Sequence, residues 1–137
     1  MRSSRPMSII ALDVGDARIG VARANSLAKL PEPVGIITND IHAKTAIESV
    51  IKEHAAELLV VGLPLLVGGK DSDQAQKVRM FTNELAKHLT IDYVFVDESH
   101  SSSEADDWLK RHKRGIAMHN DDIAACIILQ RYLEDVE

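Results

Sequence analysis

The stretch "ELLVVGLP", residues 57–64, constrains this chain more than any other, because it is apolar and β-branched without alternation. A strand that is apolar at every position suits a parallel sheet covered on both faces. The rest of the chain must therefore supply helices to both sides of a sheet.

The flanking patterns supply them. From about Ala43 to Glu57 the apolar positions Ile47, Val50, Ile51, Ala55 and Leu58 recur at spacings of three and four, which predicts an amphipathic helix capped by Asn39 or Asp40. Asp71, with Gln74 three residues on, reads as a second helix start, and Val78, Phe81, Leu85 and Leu89 mark its inner face to about His88. Ser101 and Glu104 have capping-box spacing ahead of "ADDWLKRH", and "DDIAACIILQRYLE" closes the chain as an almost wholly apolar helix.

Ahead of the first helix, "MSIIALDV" and "RIGVARA" flank "GDA", a hairpin in which Gly15 supplies the permissive backbone. "EPVGIITN", entered through Pro31 and Pro33, is a third strand, and "IDYVFVDE" a fifth. Short connections make the first three strands antiparallel, while helical crossovers set the fourth and fifth parallel to the first. The expectation is an α/β fold of one domain, residues 1–137: a mixed five-stranded sheet, three antiparallel then two parallel strands, flanked by helices.

Several function classes drop out early. The N-terminal apolar stretch is cut short by Asp13, so no export signal is read. "LLVVGLPLLV" is about half of the roughly 20 residues that a membrane helix needs, so no membrane partner is expected. The single Cys126 lies in an apolar run and suits a reducing, cytoplasmic setting. A net charge of −5 argues against a uniformly polycationic nucleic-acid binder, leaving "LKRHKRG" as the local candidate, with Lys110, Arg111, Lys113 and Arg114.

The acids carry the chemistry. Asp13 ends the first strand. In the fifth strand Tyr93, Phe95 and Asp97 share one face and Val94, Val96 and Glu98 the other, so only one of the two terminal acids can point toward Asp13. Both strands run the same way, which sets Asp13 and Glu98 at the carboxyl end of the sheet, where open α/β sheets bind ligands. The fourth strand would lie between them, with Gly62 leaving room. The first turn of the last helix adds Asp121 and Asp122, an ordinary place for acids beside a helix dipole. Carboxylates converging from three elements repel unless they hold a cation, and an oxygen-only ligand set suits Mg²⁺ or Mn²⁺. No His or Cys cluster has zinc spacing, and "ESHSSSE" lacks the elbow turn and acid partner of a serine hydrolase.

"LDVGDARIGVA", "VVGLPLLVGGKDSDQAQKVRMFTNELA", "VDESHSSSEA" and "DDIAACIILQRYL", in this order from Ile9 to Leu133, resemble the YqgF/RuvX family of Holliday-junction-resolvase-like nucleases. The resemblance implies a ribonuclease-H-like (RNase H-like) fold and a metal-dependent nuclease acting in 5′-end processing of precursor 16S ribosomal RNA, with junction resolution as the alternative. It implies a metal-binding catalytic triad of Asp13, Glu98 and Asp121, the last chosen over Asp122, and a hairpin arginine at Arg18. Arg18 and the basic cluster would contact phosphates. A monomer acting on RNA is favoured, since resolving a four-way junction symmetrically needs a dimer.

Two departures stand out. Ser99, His100, Ser101 and Ser102 replace an arginine and a Thr-Thr pair, which weakens phosphate gripping there. Asp16 replaces a hairpin threonine and reads as a turn residue. The missing arginine keeps open a catalytically silent RNA-binding module. A sugar-kinase-like phosphotransferase, suggested by "DVG", would need a second such domain.

Overall fold

The computed structural model describes residues 6–98 and 120–135. Strands β1 (Ser8–Val14), β2 (Arg18–Asn25) and β3 (Glu32–Thr38) precede helix α1 (Ala43–Glu53), then β4 (Leu58–Leu63), α2 (Asp73–Ala86), β5 (Asp92–Asp97) and α3 (Asn120–Asp135). The sheet order is β3-β2-β1-β4-β5. β1 pairs antiparallel with β2, and β2 with β3, whereas β1–β4 and β4–β5 are parallel. This is the mixed sheet expected from the sequence, with the all-apolar β4 inside it and buried throughout.

The pleat divides the core in two. Ile10, Leu12, Val14, Val21, Leu59, Val61 and Leu63 face α1 and α2, meeting Ile47, Ile51, Val78 and Leu85. Ile9, Ala11, Ala22, Ala24, Leu58 and Val60 face α3, meeting Ile123, Cys126, Ile128 and Leu129. Each of these large side chains, fully buried, stabilises the fold by about 1.5–3 kcal/mol. β3 is an edge strand and tolerates Pro33 there. The register shifts between Val21 and Ala22, which pair with Gly35 and Pro33, so Val34 is bulged out.

Local signals misplace three details. α1 ends at Glu53, not near Glu57. The amides of Ala55 and Ala56 donate to the carbonyls of Lys52 and Ile51, a Schellman close with Ala55 at φ 51° where glycine is usual. The chain must turn there to enter β4, and Leu58 belongs to that strand. Neither Asn39 nor Asp40 caps α1; the N-cap is His42, without a side-chain bond, and Asp40 Oδ1 accepts from the His42 amide at 2.8 Å. α2 begins one residue later than read: Ser72 is its cap, accepting from the Ala75 amide at 3.0 Å. The predicted "ADDWLKRH" helix lies outside the described residues. No described helix is long and apolar enough to cross a membrane.

Candidate active site at the carboxyl edge of the sheet

Asp13 is the sixth residue of β1 (Ser8–Val14) and shares its face with Ile9 and Ala11, so it points to the α3 side. Across β2 its partner is Gly20. On the other side, one step past the Leu12–Val61 pair, lies Gly62. Asp13 thus stands between two strands that put no side chain beside it.

Glu98 reaches the same place from β5. Gly62 pairs with Val96, and Glu98 is two residues further on the same face. Its amide donates to the Leu63 carbonyl at 2.9 Å, which continues the β4–β5 pairing to the last position before the chain leaves. Why β4 needs glycine is visible here. A Cβ on Gly62 would stand 2.4 Å from Ile128 Cδ1 and 3.1 Å from the Glu98 carboxyl carbon. The absent side chain is the space in which Glu98 approaches Asp13.

That approach has an electrostatic signature. The Glu98 carboxyl is pushed from 4.5 up to about 9, first by burial, then by its hydrogen bond to Asp13 and repulsion from Asp13 and Asp97, with Arg131 opposing. Burial and the neighbouring acids thus favour the protonated form of Glu98. Two acids held this way form a site for a cation or for proton transfer.

The hairpin that carries Asp13 is braced from three sides. The Gly15 amide donates to the Arg18 carbonyl at 2.9 Å, closing a two-residue turn over Asp16 and Ala17. A Cβ on Gly15 would lie 2.8 Å from that carbonyl, so glycine is needed for close approach and not for an unusual φ. Asn39 Nδ2 donates to the Gly15 carbonyl at 2.7 Å, its amide to the Ala17 carbonyl, and Gln74 Nε2 to the Val14 carbonyl at 3.2 Å. Asn39 and Gln74 carry cap-like signals in sequence, yet both serve the hairpin. Only the partner's position in space reveals that.

Of the other expected site residues, Arg18 is exposed at the start of β2, beside the turn. Asp16 faces α2, with Lys77 Nζ at 3.5 Å, as a turn residue would. Asp121 lies in the first turn of α3, but its side chain is outside the described set. Lys110, Arg111, Lys113 and Arg114 lie outside the described residues, as do Ser99, His100, Ser101 and Ser102. Among the described residues no group of three acids, His or Cys gathers as a metal site. Sequence reasoning passed over Arg131, whose guanidinium donates to the Asp97 carbonyl at 2.8 Å. A lone cation inside "ILQRYL" was its only signal.

This sheet order, with acids at the carboxyl ends of β1 and β5, is that of RNase H-like nucleases and resolvases. Solved structures agree in fold: Thermus thermophilus RuvC superposes with a TM-score of 0.63 at 9% identity, covering 95% of this chain and 96% of that one. The fowlpox virus Holliday junction resolvase does so with a TM-score of 0.62 at 14% identity, covering 96% and 100%. At the sequence level, the profile described as "RuvX: Holliday junction resolvase" matches residues 7–135, and the chain belongs to that family. A relative from Dehalococcoides mccartyi is 38% identical over 128 residues, 89% of this chain and 94% of its own length. One from Fusobacterium nucleatum is 37% identical over 131 residues, 91% and 95% respectively. Both bear the provisional name pre-16S rRNA nuclease.

Proposed function

We propose that this protein is a metal-dependent nuclease that hydrolyses phosphodiester bonds in precursor 16S ribosomal RNA. The observation that carries the reading is the approach of the Glu98 carboxyl to Asp13 over Gly62, at the carboxyl edge of the sheet. The names of the relatives point to the RNA. The lone, buried Cys126 suits work in the cytoplasm.

The residues fit a divalent cation. Two carboxyls brought this close are relieved by a cation, and their oxygens match Mg²⁺ or Mn²⁺. Asp13, Glu98 and Asp121 would hold it, Asp13 from the braced hairpin and Asp121 from the first turn of α3. Bound in a pair, such ions supply an activated water and stabilise the leaving 3′ oxygen. A cation there would favour the ionised form of Glu98, so its loading would be coupled to pH. Arg18 and the cluster Lys110, Arg111, Lys113 and Arg114 would neutralise flanking phosphates, which adds about 0.7–0.9 to the log–log salt slope per contact.

The test is cleavage by the purified protein of labelled precursor ribosomal RNA and of four-way DNA junctions, with Mg²⁺, Mn²⁺ or EDTA. The expected result is metal-dependent cleavage of RNA that is lost in Glu98→Gln. Cleavage of junctions only, by a dimer, would reassign the substrate to branched DNA. RNA binding without cleavage in any metal would make the chain a silent binding module.

A further inference from the structure

We propose that Arg131 is a positioning residue for Glu98, holding it against Asp13 from the far end of α3 through the carbonyl of the preceding residue. The inference rests on the reading of Asp13 and Glu98 as the hydrolytic pair.

Three observations converge on it. β5 ends at Asp97, and just beyond it Glu98 is held to the sheet by a backbone bond from its amide to the Leu63 carbonyl. The Asp97 carbonyl is the next main-chain group of this strand end, and Arg131 donates to it at 2.8 Å from another element. The Asp97 carbonyl and the Glu98 amide are the two polar ends of one peptide unit, so β4 and α3 hold that peptide from opposite sides and fix the plane from which Glu98 departs. Second, Arg131 sits one turn beyond Ile128 on α3, and Ile128 is the side chain that fills the space over Gly62 beside the Glu98 carboxyl. One helix thus packs against the carboxyl and anchors the strand that presents it. Third, the guanidinium that reaches the Asp97 carbonyl brings a positive charge to the strand end that carries Asp97 and Glu98.

The same device serves the other acid. Gln74 donates to the carbonyl of Val14, the residue after Asp13, and Asn39 to that of Gly15. In each case a polar side chain from elsewhere in the chain holds main chain close to the carboxyl by bonding a carbonyl, not the carboxyl itself. Arg131 differs in being charged. A positive charge at this strand end opposes a second cation beside it.

The two parts of this role have opposite signs in an experiment. Removing the guanidinium loosens Glu98, which slows turnover. It also removes a positive charge from beside the carboxyls, which strengthens their attraction for a cation. Arg131→Ala and Arg131→Lys would be compared with wild type and Glu98→Gln, well below their melting points and corrected for folded fraction by circular dichroism. Cleavage of a labelled precursor ribosomal RNA gives kcat and KM at saturating Mn²⁺, and electron paramagnetic resonance counts free Mn²⁺ without RNA. The expected result for Arg131→Ala is a fall in kcat of about tenfold or more, with KM within twofold and Mn²⁺ bound at least as tightly as by wild type. Arg131→Lys, which restores charge and one donor, should recover most of the loss. The proposal is overturned if kcat per folded molecule of Arg131→Ala stays within twofold of wild type, or if its loss is wholly explained by weaker Mn²⁺ binding. Full activity in Glu98→Gln would instead sink the reading of the site itself, whatever Arg131 does.

Discussion

Asp97 and Glu98 are consecutive acids at the end of one strand, and the two faces of the sheet treat them oppositely. Asp97 belongs to the face of Tyr93 and Phe95, over which α1 and α2 pack, and it ends exposed at the rim. Glu98 belongs to the face of Val94 and Val96, under α3, where it meets Asp13 and holds its proton up to about pH 9. The chemistry of an acid here is decided by strand parity and by what covers the face. The first face ends in solvent, the second in a half-buried notch floored by Gly62.

The largest expected effect tests that contrast directly. Glu98→Gln should lower metal-dependent cleavage by at least about a hundredfold, since it removes a ligand of the proposed ion, while Asp97→Asn should stay within a few-fold because Asp97 stands on the other face of the strand and the variant keeps the main-chain carbonyl that accepts from Arg131. Single-turnover assays on both variants decide it. Equal losses would mean that the two faces do not differ in the way described.

Next in size is a pH effect on the metal-free protein. Glu98 binds its proton more tightly when folded than when unfolded, so the folded state loses ground as pH rises from 4.5 toward about 9. The loss is on the order of a few kcal/mol, reduced by partial exposure, and lowers the melting temperature by several degrees for a domain of this size. Melts in EDTA across that window should show the decline in wild type and in Asp97→Asn, and a flatter profile in Glu98→Gln. Mn²⁺ should restore stability most at the alkaline end, where no proton has to leave. A wild-type profile as flat as that of Glu98→Gln would break the account of the notch.

Gly62→Ala sharpens the comparison from the floor of the notch. The added Cβ meets Ile128 and the Glu98 carboxyl, and we expect a destabilisation of about 1–3 kcal/mol with cleavage reduced per folded molecule. Urea unfolding and activity on the same sample separate the two effects. Unchanged activity would show that the strand tolerates a side chain under Glu98.

The smallest change lies away from both acids. Ala55→Gly relieves the left-handed close of α1 but loosens the unfolded chain, for a net gain of about 0.5–1 kcal/mol with cleavage unchanged. A loss of stability in urea unfolding would mean that Ala55 is not strained there.

Much of the frame was legible because its signals are local and redundant. The unbroken apolar run of β4, the hairpin around Gly15 and the 3.6-residue periodicity of α1 and α2 each carry several residues of signal, so an error at one position does not move the element. Alternation along "DYVFVDE" showed that only one of Asp97 and Glu98 could meet Asp13, the family resemblance pointed to Glu98, and Gly62 was legible as space between them. Helix ends were less legible. Asn39, Asp40 and Asp71 all have the chemistry of a cap, and periodicity ran on through Ala55 and Leu58 past the true end of α1.

By itself, then, the sequence determined the order and direction of the strands, the two-sided burial of β4 and the face on which each acid stands, because period and connection length are properties of the chain alone. Tertiary structure decided which polar groups met. Asn39 and Gln74 left helix caps for the carbonyls of the Asp13 hairpin, and Arg131 crossed from α3 to the end of β5. It also decided that Glu98 keeps a proton, since burial and the nearness of Asp13 exist only once β1, β4 and α3 have come together. A hydrogen bond or a displaced pKa belongs to a pair of groups and the medium between them, and neither is written in the spacing of residues along a chain.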